Sequence, residues 1–339
     1  LKKIWNSWRR WLPGAIISLA LLAVILYFVD LNAVWTALRK ADYRFLLLAL
    51  LGSITWFMVR GFVWWTLLQR KPSFKVTFFC LSEGYLMNNF LPFRLGEIGR
   101  AFLLSRKTGL QFMEIIPTIV IERAMDLMFS AGILVLSVPF VIGVSGAEQI
   151  GYIVGSLILI GLFGLFILAH NRAWTGKVLQ NLSMRWPKIL KIGGSILEPF
   201  IDGLAVLTDF HLFARFMFWM AFNWLIAIVQ YYLLVRAFFP EANLHWAMFS
   251  LGMAAFGGAI PSLPGAIGTL DAAVGGAIAF LTRNIDKAAA LVVVMRLFNY
   301  LVTGIPALFA LSTEGQTLSG LYRDVTLFRT TSKQVEKLE

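Results

Sequence analysis

The run Asn88-Asn89-Phe90-Leu91-Pro92-Phe93-Arg94-Leu95-Gly96-Glu97 decides how this chain folds. It interrupts an apolar stretch, 74–106, that would otherwise read as one membrane-crossing helix. Pro removes a backbone donor and fixes φ, and Gly frees the backbone, so a helix must stop and restart here. Each half is then too short to cross about 30 Å of hydrocarbon at 1.5 Å per residue. A second stretch, 246–282, is broken in the same way by Pro261-Ser262-Leu263-Pro264-Gly265-Ala266-Ile267-Gly268-Thr269. Each stretch is either a broken span or a hairpin of half-helices that re-enters on one side.

The solvent around these breaks is set by composition. Hydrophobic residues make up 59% of 339 positions, charged residues 14%, and the mean hydropathy is +0.76. A soluble domain carries about 25% charged residues. This chain is too apolar to coat a globule, and its solvent is lipid. Its net charge of +12 would point to nucleic acid in a soluble protein. In a membrane chain it points to cytoplasmic loops and anionic headgroups instead, and nucleic acid is not an expected partner. Cys80 is the single cysteine, which excludes an internal disulfide. His170, His211 and His245 lack metal-ligand spacing, and no nucleotide-binding Gly-rich loop is present. Neither metal nor cofactor is expected.

Six uninterrupted apolar stretches are long enough to span: 13–29, 45–68, 112–142, 149–169, 212–238 and 286–311. The basic, aromatic residues 1–12 resemble the start of a signal peptide, but no small-residue cleavage motif follows, so 13–29 reads as the first span. Charge places the hairpins. Arg70, Lys71, Lys75, Arg106 and Lys107 flank the first on both sides, which puts both ends in the cytoplasm. The flanks of the second are nearly neutral and fit the outside. With both hairpins re-entrant, the N- and C-termini are cytoplasmic, and so is an amphipathic loop at about 170–211. The 30–44 loop, with Arg39, Lys40 and Arg44, is the exception to the charge rule. The expected class is all-α: a polytopic protein of a bacterial-type inner membrane, with about six transmembrane helices plus two re-entrant hairpins. Residues 1–312 form the membrane transport domain and 313–339 a cytoplasmic tail.

The two breaks also match each other. Leu91-Pro92-x-x-x-Gly96 pairs with Leu263-Pro264-x-x-x-Gly268. Arg123 follows Pro92 by 31 residues, and Arg296 follows Pro264 by 32. The unit of span, half-helix, break, half-helix and span occurs at about 45–142 and 212–311. Three crossings separate the two starts, so the copies are inverted, as in many transporters.

Charged side chains at membrane depth are expensive and mark function. Arg60, Glu83, Arg94, Glu97, Arg100, Glu122, Arg123, Asp126, Asp271 and Arg296 all lie there. Arg94, Glu97 and Arg100 recur every three residues, Glu122 and Asp126 are i, i+4, and Arg296 and Asn299 are i, i+3, so each set shares a helix face. Two readings are open. The charges can staple one another, Arg123 with Glu97 or Arg296 with Asp271, or they can line a wet central cavity. The cavity is the expectation, because intramembrane charges more often mark a pathway. Half-helices starting after Pro92 and Pro264 would add free N–H groups that attract anions, with Asn89 and Ser262 as N-caps and Gly265 allowing close approach. The twelve Trp lie mostly at predicted membrane edges, as anchors.

The L-P-x-R-x-G-E-x-x-R core, from Leu91 to Arg100, is followed by Glu122-Arg123-x-x-Asp126. These residues resemble the flippase-like membrane family that includes the lipid-flipping region of lysylphosphatidylglycerol synthases. Pro264-Gly265-Ala266-Ile267-Gly268 with Asp271 resembles that family's P-G-G-I-G-x-x-E segment, with Ala266 for the second Gly and Asp271 for the Glu. The resemblance covers about residues 10–312. It implies movement of an anionic phospholipid or a lipid-linked sugar between leaflets. The synthases' soluble aminoacyl-transfer domain has no counterpart in this sequence, so lipid modification is expected from a separate enzyme. The substrate-binding set comprises Arg60, Asn88, Asn89, Arg94, Glu97, Arg100, Glu122, Arg123, Asp126, Ser262, Gly265, Asp271, Arg296 and Asn299. Pro92, Gly96, Pro264 and Gly268 are its structural breaks. The competing readings are a membrane-embedded glycosyl or phosphate transferase, with Glu97, Glu122 and Asp126 as acid/base groups, and a non-catalytic partner of such an enzyme.

Overall fold

A computed structural model describes residues 30–91, 94–142, 209–260 and 262–313, with residues 156 and 160. The expected span at 13–29, nearly all of 149–169 and of the 170–211 loop, the tail after 313, and Pro92 and Pro261 lie outside the described residues. The described chain is helical: α1 (Leu31–Lys40), α2 (Tyr43–Leu67), α3 (Phe74–Phe90), α4 (Leu95–Thr108), α5 (Phe112–Ile142), α6 (Phe210–Phe238), α7 (Leu244–Ala259), a 3-10 turn (Pro264–Ala266), α8 (Thr269–Thr282) and α9 (Ile285–Thr313).

Helix starts are written in the sequence. Asp30, Asp42, Ser73, Asp209 and Asn243 are N-caps whose side chains accept first-turn amides, and the Asn284 carboxamide accepts from Lys287 N at 3.0 Å. Each satisfies donors a helix start leaves free. The 30–44 segment, expected to be a loop, holds α1. Asp30 caps it, and Val34 and Ala37 form an apolar face that packs beside α9.

Four of the helices, α2, α5, α6 and α9, are long and apolar enough to cross a membrane. Pro264–Thr282 also has that length, but its helical part is the 14 residues of α8. That is about 21 Å, short of a bilayer core. Exposed apolar stripes run along α2 (Leu47, Leu51, Ile54, Met58) and α6 (Phe218, Phe222, Leu225, Val229). Patches of that extent need an apolar solvent. The protein is a multi-pass membrane protein.

Helices α2 and α6 pack antiparallel along most of their length. Asp42 N donates to Ala237 O at 2.9 Å, the Asn223 carboxamide donates to Trp56 O at 2.8 Å, and Phe62 stacks on Trp219 at 5.0 Å between centroids. Further neighbours are α2 with α3 and α6 with α7, α3 with α4 and α7 with α8, α4 with α5 and α8 with α9. Helix α3 also packs on α9, and α7 on α5.

Small residues let the short helices close up. A Cβ on Gly96 would lie 2.0 Å from Gly84 O, and one on Gly257 would lie 2.3 Å from the Ala273 Cβ. Gly132 and Gly276 have nothing within 4 Å of that position. Gly96→Ala and Gly257→Ala are therefore expected to cost about 1–3 kcal/mol by overpacking. Gly132→Ala and Gly276→Ala should be neutral or stabilising by up to about 1 kcal/mol. Thermal unfolding of the purified protein in detergent measures both, and equal effects would refute the packing account.

Candidate functional site

The ionisable residues read from the sequence meet in two places. The first centres on Glu122, on α5, none of whose side chain is exposed. Its Oε1 accepts from Arg60 Nη2 at 2.5 Å and Arg123 Nη2 at 2.6 Å, and its Oε2 from Arg100 Nη2 at 3.0 Å. Arg60 comes from α2 and Arg100 from α4, so one carboxylate ties three helices. Asp126, one turn on, accepts from Arg60 Nη1 at 2.8 Å and bonds Arg60 Nη2 as well. Its Oδ2 lies 3.3 Å from Arg123 Nη2. The i, i+4 acids thus do share a face, and that face holds Arg60.

Arg60 and Arg100 are 2% and 1% exposed. Here the charges neutralise one another where a wet cavity was expected. Low dielectric makes each unpaired charge costly, so the residues draw together. The outer part of the cluster is more open: Glu97 lies 3.5 Å from Arg123 and 3.8 Å from Arg94. Four guanidinium groups face three carboxylates, leaving one positive charge in excess. Arg60 Nε, Arg100 Nε and Nη1, and Arg123 Nε are buried without a hydrogen-bond partner among the described residues.

The sequence reading missed Trp64. It is fully buried rather than interfacial. Arg100 lies over its ring at 4.5 Å, and its indole N–H donates to Thr118 Oγ1 at 3.1 Å. The ring's negative face is a second partner for Arg100. The signal was present: Trp64 is i+4 from Arg60 and so shares its face.

The second place is the 3-10 turn. Arg296 on α9 donates from Nε to Asp271 Oδ1 at 2.6 Å and from Nη2 to Ala266 O at 2.9 Å, and its Nη1 bonds Gly265 O. The pairing of Arg296 with Asp271 was the stapling alternative, and it is the arrangement found. Asp271 Oδ2 also accepts from Gly268 N at 2.8 Å, so the shorter acid serves both partners. Ala266 has φ 53°, in the left-handed region. A Gly there would avoid a Cβ penalty of roughly 1–2 kcal/mol.

The expected caps are corrected. Asn88, not Asn89, serves α4: its Oδ1 accepts from Gly96 N at 2.8 Å. The α4 N-cap is Arg94, with φ 53° and no side-chain capping bond. Helix α8 starts at Thr269, five residues after Pro264, and Ser262 bonds the Thr269 hydroxyl at 3.0 Å instead of a backbone amide. The Gly96 and Gly268 amides are thus satisfied internally, where free donors were expected.

The two places adjoin at the end of α3. Arg94 Nη2 donates to Gly258 O at 2.7 Å, near the end of α7. Asn89 contacts Asn299 and Thr303 of α9, each at 3.5 Å, and its backbone lies 3.7 Å from a Cβ built on Gly265. Glu83, fully buried on α3, pairs with Lys107 at 3.0 Å. Among the described residues no group of three His, Cys, Asp or Glu is placed to hold a metal ion.

Long apolar helices enclosing a buried charge network define a polytopic membrane protein with a polar interior site. The chain belongs to the family of the lysylphosphatidylglycerol synthase transmembrane region, whose pattern matches residues 11–307. It is also 22% identical over 324 residues to a UPF0104 membrane protein of Methanothermobacter thermautotrophicus, covering 92% of this chain and 96% of that protein.

Glu122→Gln would leave three guanidinium groups around a neutral amide. It is expected to cost about 3–5 kcal/mol, as for one half of a buried ion pair. Glu122→Gln combined with Arg100→Gln should cost less than the sum of the single changes. Chemical unfolding of the four proteins measures the coupling, and additive losses would show that the two groups do not act as a pair.

Proposed function

We propose that this chain is a lipid translocator, moving an anionic phospholipid or lipid-linked headgroup between leaflets of a cytoplasmic membrane with both termini inside. The observation that carries this reading is the excess positive charge of the Glu122 cluster together with its buried guanidinium N–H groups, which have no partner among the described residues. Such donors favour an acceptor with several oxygens, as a phosphate has. The family's lipid-linked name is in keeping with a lipid substrate. The acyl tails stay in the bilayer while the headgroup passes the charged residues.

Rocking of two inverted repeats, at about 45–142 and 212–311, supplies alternating access. Matching α2, α3, α4 and α5 to α6, α7, α8 and α9 turns α2 with α3 into α6 with α7, α3 with α4 into α7 with α8, α4 with α5 into α8 with α9, and α3 with α9 into α7 with α5. The antiparallel packing of α2 against its counterpart α6 supports the inversion. Arg94 and Ala266, each two residues beyond the matched Pro, both have φ 53°. On this reading the pairs α3/α4 and α7/α8 are the two re-entrant hairpins, and any covalent change to the lipid belongs to a separate enzyme.

Reconstituted in liposomes, the purified chain is expected to speed transfer of a labelled phosphatidylglycerol from protected to exposed leaflet. Arg94→Gln and Arg123→Gln should each slow it roughly tenfold, the weight of a charge-assisted hydrogen bond. No acceleration over empty liposomes would overturn the reading. So would chemical conversion of the lipid, which is the outcome an embedded transferase predicts.

A further inference from the structure

Glu97 is held unlike the other carboxylates of its cluster. Glu122 accepts three hydrogen bonds of 2.5 to 3.0 Å. Glu97 accepts none among the described residues and makes two long ion pairs, both through Oε1, at 3.5 Å to Arg123 Nη1 and 3.8 Å to Arg94 Nη1. The exposures divide the cluster in the same way. The side chains of Arg94, Arg123 and Glu97 are 46%, 28% and 17% exposed, whereas Arg60, Arg100 and Glu122 are enclosed. The inner three groups form a fixed base. The outer three form a loosely closed clasp in which one carboxylate oxygen lies between two guanidinium groups.

A phosphate monoanion or diester presents that same feature, a charged oxygen within reach of two arginines, with further oxygens for bidentate contact. Arg94 and Arg123 are held from behind by other partners. Arg94 Nη2 donates to Gly258 O, and Arg123 Nη2 to Glu122. Their Nη1 groups, which face Glu97, are the ones available to exchange.

We infer that Glu97 is an internal counter-anion occupying a phosphate site between Arg94 and Arg123, and that a lipid phosphate binds by displacing it. The inference rests on the translocator reading and names the ligand group of that site. The displaced carboxylate then repels the bound phosphate, which keeps affinity low and release fast. Glu97 is thus a specificity-determining residue that acts against binding. A purely structural role is the alternative: as the third residue of α4, Glu97 is also well placed to stabilise the helix start.

The two roles predict opposite signs. Binding of short-chain phosphatidylglycerol to the purified full chain in detergent is measured by calorimetry, with short-chain phosphatidylcholine as the zwitterionic comparison. Glu97→Gln should tighten phosphatidylglycerol binding by about tenfold, within the usual range of site-to-site coupling. Glu97→Asp, which keeps the anion, should bind like the wild type. Arg94→Gln and Arg123→Gln should weaken binding by about tenfold or more. Thermal unfolding identifies any variant that fails to fold, and Glu97→Asp against Glu97→Gln compares two changes of the same side chain. Unchanged or weaker binding by Glu97→Gln, or no binding by any form of the chain, overturns the inference. The expected order of affinities without lipid transfer in liposomes would instead remove the translocator reading and leave the phosphate site standing.

Discussion

Glu122 lies at the depth of the apolar helices with no exposed side chain, and an ionised carboxylate survives there only if cations and donors surround it. That requirement reaches far along the chain. It places Arg60 at the interior end of α2 and makes α4 turn back so that Arg100 can meet α5. The break after Phe90 is what permits that return, since α3 continued straight would carry Arg100 away. The close contact of Gly84 with Gly96 then lets α3 and α4 lie side by side. A charge pair and a glycine pair are in this sense one arrangement: the first needs the turn and the second makes room for it.

The two halves use matched residues differently. Arg123 and Arg296 follow their breaks by nearly the same number of residues. Arg123 joins a network of side chains, whereas Arg296 binds one carboxylate and two backbone carbonyls of the 3-10 turn. In the second half the guanidinium holds the break in shape. In the first, that task falls to Asn88, and the arginines are left to deal with other charges.

Much of this was legible in the sequence, for physical reasons that differ by element. The long apolar runs were readable from composition alone, although their caps, Asp42, Ser73 and Asp209, were not singled out. The breaks were readable because Pro and Gly act locally. The face shared by Glu122 and Asp126 followed from helical spacing alone. Partners across helices did not follow. Nothing local to Asn88 says that its carboxamide, rather than that of Asn89, reaches the amide of Gly96. Trp64 was hidden because a tryptophan near a helix end fits a membrane edge as well as a core, and only its position relative to Arg60 separates the two. Helix α1 was obscured by its charges, which suggested a loop although they sit on one side of a short amphipathic helix.

The long sequence separation within the Arg60 ion pairs bears on how the chain is made. Arg60 precedes Glu122 by 62 residues and Asp126 by 66. At roughly 5–20 residues per second, α2 emerges several seconds before either acid exists. During that interval the growing chain must keep an unmatched guanidinium near the bilayer surface, in the insertion machinery, or snorkelled along its own aliphatic stem. The ion pairs of Arg60 can close only once α5 has been made. The order of synthesis leaves the base of the charge cluster incomplete until α5 is threaded.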